Sequence, residues 1–152
     1  MGARHPGPEP SLRARALRLL ARREHSREEL RRKLVPHLAE SDDVESLLDD
    51  FTQRGWLSDA RFAEHSIRAK ARRFGPLKVA QHLRERGLDE EAIAAGFHAA
   101  GLDGVASIEG VWKSKFHERP LDDRELARQV RFLQGRGFAV ADILRFLKEE
   151  ES

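Results

Sequence analysis

GWLSDARFAEHSIRAKARRFGPLKVAQHLRERG, residues 55–87, holds two helix-length segments joined at Phe74-Gly75-Pro76. On a wheel of about 100° per residue, Phe62, Ala63, Ser66, Ile67 and Phe74 fall on one side of the first segment. Arg61, His65, Arg68 and Arg72 fall within about 60° of one another on the other side. Pro76 suits a first helical position, where its missing N–H is not needed, and Gly75 and Gly87 read as stops. From Arg61 to Arg86 eight Lys/Arg face only Glu64 and Glu85, a local charge of +6 in a chain whose total is +2. The rest of the chain therefore sums to −4.

The same grammar extends in both directions. The first ten residues, with three Pro and two Gly, predict a disordered tail. Leu12, Ala16, Leu19 and Leu20 then recur at helical spacing, predicting a helix over 11–23. Ser26-x-x-Glu29 is a capping box opening a second helix striped by Leu30, Leu34 and Leu38, with Pro36 predicting a kink or an early stop. Ser41 is expected to cap a third helix, with Asp42 and Asp43 in its first turn and Gly55 ending it. Further helices are expected over 58–74, 76–86, 89–100, 105–117, 122–134 and 140–149, with Asp122-x-x-Glu125 a second capping box. No stretch alternates with period two, so the fold class is all-α.

A repeat organises these helices. Leu34, Leu83 and Leu133 are 49 and 50 residues apart, as are Val44, Ile93 and Ile143, and also Leu48, Phe97 and Leu147. Arg86-Gly87-Leu88 and Arg136-Gly137-Phe138 mark one turn in two units. The expectation is three tandem three-helix, helix-turn-helix-like repeats, over 11–55, 56–104 and 105–150, packed into an elongated array.

Composition bounds the chemistry. The 152 residues include no Cys, which excludes disulfides and thiolate metal sites, and 36% are charged. Mean hydropathy is −0.63 and the isoelectric point about 9.3, compatible with an anionic partner. No apolar run suits a membrane span or a leader, so the expectation is a cytoplasmic, monomeric protein without membrane association. Phosphate-loop, dinucleotide and zinc-protease patterns are missing, and the seven His lack ligand spacing. The acidic run at 40–50 reads as a helix start and solvent face rather than paired catalytic carboxylates. No enzyme, metal or cofactor is expected.

The cationic stripe is the candidate site: Arg61, His65, Arg68 and Arg72, with Lys78 and Arg84 as lesser members. Like charges stacked without intervening acids repel by a few tenths of a kcal/mol per pair, roughly, and an anionic partner relieves that. The basic residues of the first two helices, from Arg13 to Lys33, are diluted by Glu24, Glu28 and Glu29 and read as solvated surface.

Three groups of residues together resemble one family. The first is Ala16-Leu17-x-Leu19-Leu20-x-x-Arg23-x-His25-Ser26-x-x-Glu29-Leu30-x-x-Lys33-Leu34. The second is Gly55-Trp56-Leu57-Ser58-Asp59-Ala60-Arg61-Phe62-Ala63, followed by Phe74-Gly75 and Leu83-x-x-Arg86-Gly87. The third is Trp112 with Phe132-Leu133-x-x-Arg136-Gly137-Phe138. In order and spacing they resemble the RecX family, regulators of the RecA recombinase. The resemblance implies three tandem three-helix repeats and binding within the groove of the RecA filament on single-stranded DNA. It also implies inhibition of strand exchange, ATP hydrolysis and co-protease activity, in recombinational repair and the SOS response, with direct DNA phosphate contacts open. Pro76-Leu77-Lys78 departs from the two or three basic residues that often follow this glycine in the family. The alternative is an autonomous, non-sequence-specific DNA-binding helical protein, but the expected third helices are acidic or apolar, unlike recognition helices.

Overall fold

In the computed structural model, residues 9–149 are described. The expected tail, 1–10, falls almost wholly outside them, as do 150–152. The described residues are helical, without strands, and form two compact units that divide after Phe62.

In the first unit α1 (Leu12–Arg22) is capped by the Ser11 hydroxyl, which accepts from Ala14 N–H at 3.1 Å. Ser26 caps α2 (Arg27–Leu34) by accepting from Glu29 N–H at 3.0 Å, as its capping box predicts. Pro36 stops α2 early: the α-helix ends at Leu34 and continues as a 3₁₀ turn, Val35–His37. The start of α3 (Val44–Gln53) corrects the expected Ser41 cap. Asp43 is the cap, accepting from Ser46 N–H at 3.1 Å, while Asp42 accepts from Ala39 N–H at 2.8 Å and holds the preceding turn. A carboxylate beside the positive helix end is the stronger acceptor, and the Ser46 contacts lower the Asp43 pKa accordingly. Ala16, Leu30, Leu34, Leu48 and Phe51 are fully buried, each large side chain contributing roughly 1.5–3 kcal/mol relative to exposure.

Among the described residues three polar side chains of this unit are buried, His25, Ser26 and Glu29. His25 is 1% exposed. Its Nε2 lies 3.0 Å from Lys33 Nζ, and its Nδ1 lies 3.0 Å from the Arg23 carbonyl. An ammonium only donates, so Nε2 accepts, and the ring is the neutral tautomer whose Nδ1–H donates to Arg23. Burial, ahead of the nearby Arg23 and Lys33 charges, pushes its pKa below the usual value. Beside it, burial alone would raise the Glu29 carboxyl, but Arg23, bonded to both oxygens at 3.0 and 2.8 Å, holds it down.

The helix α4 (Asp59–Lys70) runs across the boundary into the second unit, which continues with α5 (Pro76–Glu85), α6 (Glu90–Ala100), α7 (Ile108–Lys113), α8 (Asp123–Gly135) and α9 (Val140–Lys148). The predicted apolar side of α4 is buried at Ala63 and Ile67. Trp112 Nε1–H donates to the buried Gln129 at 2.8 Å, and the Gln129 amide donates to the Glu118 carbonyl at 2.9 Å. Asp122 caps α8 through Glu125 N–H at 2.8 Å. The repeat returns as geometry: Leu34, Leu83 and Leu133 are all 0% exposed. Leu88 N–H and Phe138 N–H bond back to the Leu83 and Leu133 carbonyls around Gly87 and Gly137, at φ +89° and +99°.

Two expected helices are shorter. α4 ends at Lys70 rather than 74, because Gly75 precedes a proline, which disfavours helical backbone, and is extended at φ −77°, ψ 170°. α7 covers Ile108–Lys113 rather than 105–117, starting where the Ser107 hydroxyl takes Gly110 N–H at 3.0 Å.

The extended Gly75 meets the turn after α8. Gly75 N–H donates to the Arg136 carbonyl at 2.7 Å and Leu77 N–H to the Gly137 carbonyl at 3.0 Å. Donors left free at the start of α5 thus meet carbonyls left free at the end of α8, with helix dipoles head to tail. A Cβ on Gly75 would lie 2.5 Å from Gly137 O, and one on Gly137 would lie 2.4 Å from Lys78 Cβ. The approach requires glycine on both sides.

Gly75→Ala is expected to cost about 1–3 kcal/mol in urea unfolding through steric overlap alone, since its φ is ordinary. Gly137→Ala should cost more, adding left-handed strain to the overlap. Gly55→Ala, at φ +75° with no atom within 4 Å, should lose only about 1–2 kcal/mol. Wild-type stability in Gly75→Ala would contradict the close approach. His25 gives a pH dependence of definite sign. The unfolded ring takes a proton near its ordinary value of 6.5 while the folded ring resists. Stability is therefore full above that pH and falls as pH drops below it. Urea midpoints at pH 8 and 5.5 should differ more for wild type than for His25→Gln; equal differences would place the titration elsewhere.

Candidate functional site

Arg61, His65 and Arg68 lie on α4, Arg72 just beyond its end, and Lys78 and Arg84 on α5. The expectation of a stripe without acids fails in detail. Arg61 Nε lies 3.0 Å from Glu24 Oε1, within the first unit. In the second unit Arg68 Nη1 lies 2.7 Å from Glu64 Oε1, one turn earlier, and its Nε 3.8 Å from Asp103. Arg84 pairs with Glu90, Nη2 lying 3.1 Å from Oε2, and donates to Gln81 at 3.3 Å. Such exposed pairs stabilise the fold by at most about 1 kcal/mol each. Their larger effect is to cancel the field of three of the six cations. Arg72 also leaves the helical register on which its place in the stripe rested, because α4 stops at Lys70.

His65 and Arg72 are exposed and have no hydrogen-bond or ionic partner among the described residues. Lys78 donates to the Gly135 carbonyl at 3.2 Å and stands 5.0 Å from the Phe74 ring centroid. Phe74 also carries Lys70 at 5.8 Å and Arg136 at 5.6 Å, giving one ring three cationic neighbours. Arg136 stacks on Phe132 too, at 5.2 Å, and donates to the Arg73 carbonyl at 3.4 Å. Arg72, Arg73 and Arg136 line a single open cleft with Val111 and Ser114, and no carboxylate among the described residues lines it. The structure thus brings Arg72 together with Arg73 and Arg136, which the sequence reading did not select, and sets Arg61 and Arg84 aside in pairs. The signal for Arg136 was its place in the repeated Arg-Gly-Phe turn. What that phrase could not disclose is that the turn docks against Gly75.

In the first unit the acidic run clamps α3 to its neighbours. Glu45 bonds Arg31 at 2.6 Å and Arg27 at 2.9 Å, which lower its pKa to about 2, Arg31 contributing most. Asp49 takes Arg27 at 2.7 Å, and Asp50 takes Arg13 and Arg54 at 2.9 Å each. These carboxylates anchor arginines of α1, α2 and the end of α3. Among the described residues no three His, Asp or Glu converge as metal ligands, and no helix is long and apolar enough to cross a membrane.

Comparison with known proteins agrees with this architecture. Residues 13–51 match the family model of the first three-helix domain of RecX, and residues 58–96 that of the second. The chain is 42% identical over 138 residues to regulatory protein RecX of Ralstonia nicotianae, covering 91% of this chain and 87% of the relative. It is 40% identical over 141 residues to regulatory protein RecX of Neisseria meningitidis serogroup A, covering 93% and 92%. Among solved structures, a crystal structure of regulatory protein RecX aligns with a TM-score of 0.71 at 18% identity, over 91% of this chain and 72% of that one. RecX from Lactobacillus salivarius aligns at 0.66 and 16% identity, over 90% and 94%. These two carry the fold, and the closer relatives carry the family. With identity of 40% and above spread over nine-tenths of its length, the chain belongs to the RecX family.

Proposed function

We propose that this chain is a non-enzymatic regulator of the RecA recombinase. It binds in the groove of the RecA filament on single-stranded DNA and suppresses ATP hydrolysis, strand exchange and co-protease activity, in recombinational repair and the SOS response. The observation that carries this reading is the likeness to proteins named regulatory protein RecX along most of both chains. Residues 11–55, 56–104 and 105–150 each supply one three-helix module. The protein acts in the cytoplasm as a monomer and needs no cofactor.

The cleft of Arg72, Arg73 and Arg136 supports a part in filament contact, with His65 and Lys78 as further candidates on the same unit. Guanidinium forks bond phosphate or carboxylate oxygens in pairs, and these three keep their charge uncompensated by the fold. The reading as an autonomous DNA-binding module has less behind it. α3 and α6 contain no Lys or Arg, so neither offers the cationic donors that a recognition helix extends to base edges and phosphates.

The test is ATP hydrolysis by the cognate RecA on single-stranded DNA. The chain should slow it at sub-stoichiometric amounts, and Arg72→Glu with Arg73→Glu should raise the half-inhibitory concentration at least about tenfold, equivalent to 1.4 kcal/mol. Arg84→Gln, which removes a cation already paired, should change it little. No inhibition by the wild-type chain at saturation would overturn the proposal.

A further inference from the structure

We infer that the groove between α1 and α2 is a second anion site, a track for the phosphodiester backbone of single-stranded nucleic acid. Arg15, Arg18 and Arg22 line one wall at i, i+3 and i+7, one face of α1. Lys33 and His37 line the other wall, from the end of α2 and the turn after it. No carboxylate among the described residues lines the groove.

The lack of compensation follows from where the acids of this unit are held. Glu45, Asp49 and Asp50 bond Arg27, Arg31, Arg13 and Arg54, while Glu29 bonds Arg23 and Glu24 bonds Arg61. Every arginine in those pairs lies outside the groove. Arg15, Arg18 and Arg22 have no hydrogen-bond or ionic partner among the described residues, and adjacent like charges one turn apart repel. Lys33 is positioned by the core: its Nζ donates to the buried, neutral His25 at 3.0 Å, which fixes one ammonium at the groove edge.

The lining also selects the ligand class. Guanidinium forks match phosphate oxygens in pairs. Below them Leu34 is fully buried and Leu19 half-buried, and among the described residues no Phe, Tyr or Trp lines the groove, His37 being its one ring. A docked peptide would want apolar anchors in open pockets, and this groove has none to give. A repeating anionic backbone needs only the row of charges. With only the His37 imidazole for a base to stack on and no Asn or Gln among the described lining residues to read base edges, binding should be tolerant of sequence and steep in salt.

The inference deepens the proposed regulation of RecA on DNA by giving the chain its own hold on the strand, and its test contains no RecA. Fluorescence anisotropy with a labelled oligo-dT of about 30 nucleotides would follow the full-length chain and Arg15→Gln/Arg18→Gln/Arg22→Gln across a salt series. The variant should keep its helical circular dichroism, because the replaced side chains hold no partner. It should bind at least tenfold more weakly. Its slope of log affinity against log salt should be shallower by roughly 2, the share of three single-strand phosphate contacts. Unchanged affinity and slope would overturn the inference. So would displacement of wild type by poly-glutamate as readily as by unlabelled oligo-dT, which would assign the groove to acidic protein. RecA inhibition succeeds or fails separately from either result.

Discussion

The approach of Gly75 to the turn after α8 governs the second unit. Two backbone hydrogen bonds, at 2.7 and 3.0 Å, join the start of α5 to the end of α8, and neither glycine leaves room for a methyl group. The other features of that surface follow. Because Gly75 is extended, α4 ends at Lys70 and Arg72 and Arg73 leave the helix. Because Arg136 lies in the docked turn, its guanidinium reaches Phe74 and Phe132 and closes the cleft those arginines share. A helix-end contact that is sterically exacting on the inside thus sets out a row of unpaired cations on the outside.

The second constraint is the distribution of acid. The chain has 28 Lys and Arg against 26 Asp and Glu, so its sum is nearly neutral and says little about any surface. What matters is which cations the carboxylates occupy. In the first unit the run from Glu45 to Asp50 draws in Arg13, Arg27, Arg31 and Arg54, leaving the opposite face of α1 bare. In the second, Glu64 and Glu90 neutralise Arg68 and Arg84. Acidic residues shape the binding surface by withdrawing cations from it.

Much of the fold was legible in the sequence. The Ser26 and Asp122 caps, the stop at Pro36 and the turns at Gly55, Gly87 and Gly137 all have local causes, and all return in the structure. Part of what failed depended on distant partners. The turn that Gly75 docks against is centred on a glycine 62 residues further on, Gly137. Arg61 finds Glu24 37 residues away, and Arg68 reaches Asp103. A helical wheel sees only neighbours on one helix, so it missed Glu24 beside Arg61 and Asp103 beside Arg68, although Glu64, one turn from Arg68, was within its view. It also understated the bareness of α1, where Glu24, Glu28 and Glu29 look near in sequence yet bond arginines away from the groove.

The claim on which the rest turns is that uncompensated cations, rather than basic residues at large, make the regulatory contact. Amide hydrogen exchange of the full chain, alone and with a RecA filament on single-stranded DNA held by an ATP analogue, tests it most directly. Protection should concentrate in residues 70–78 and 131–138 and along α1, and should spare α6, which carries no Lys or Arg. Protection centred on α6, or no change with the filament present, would contradict it.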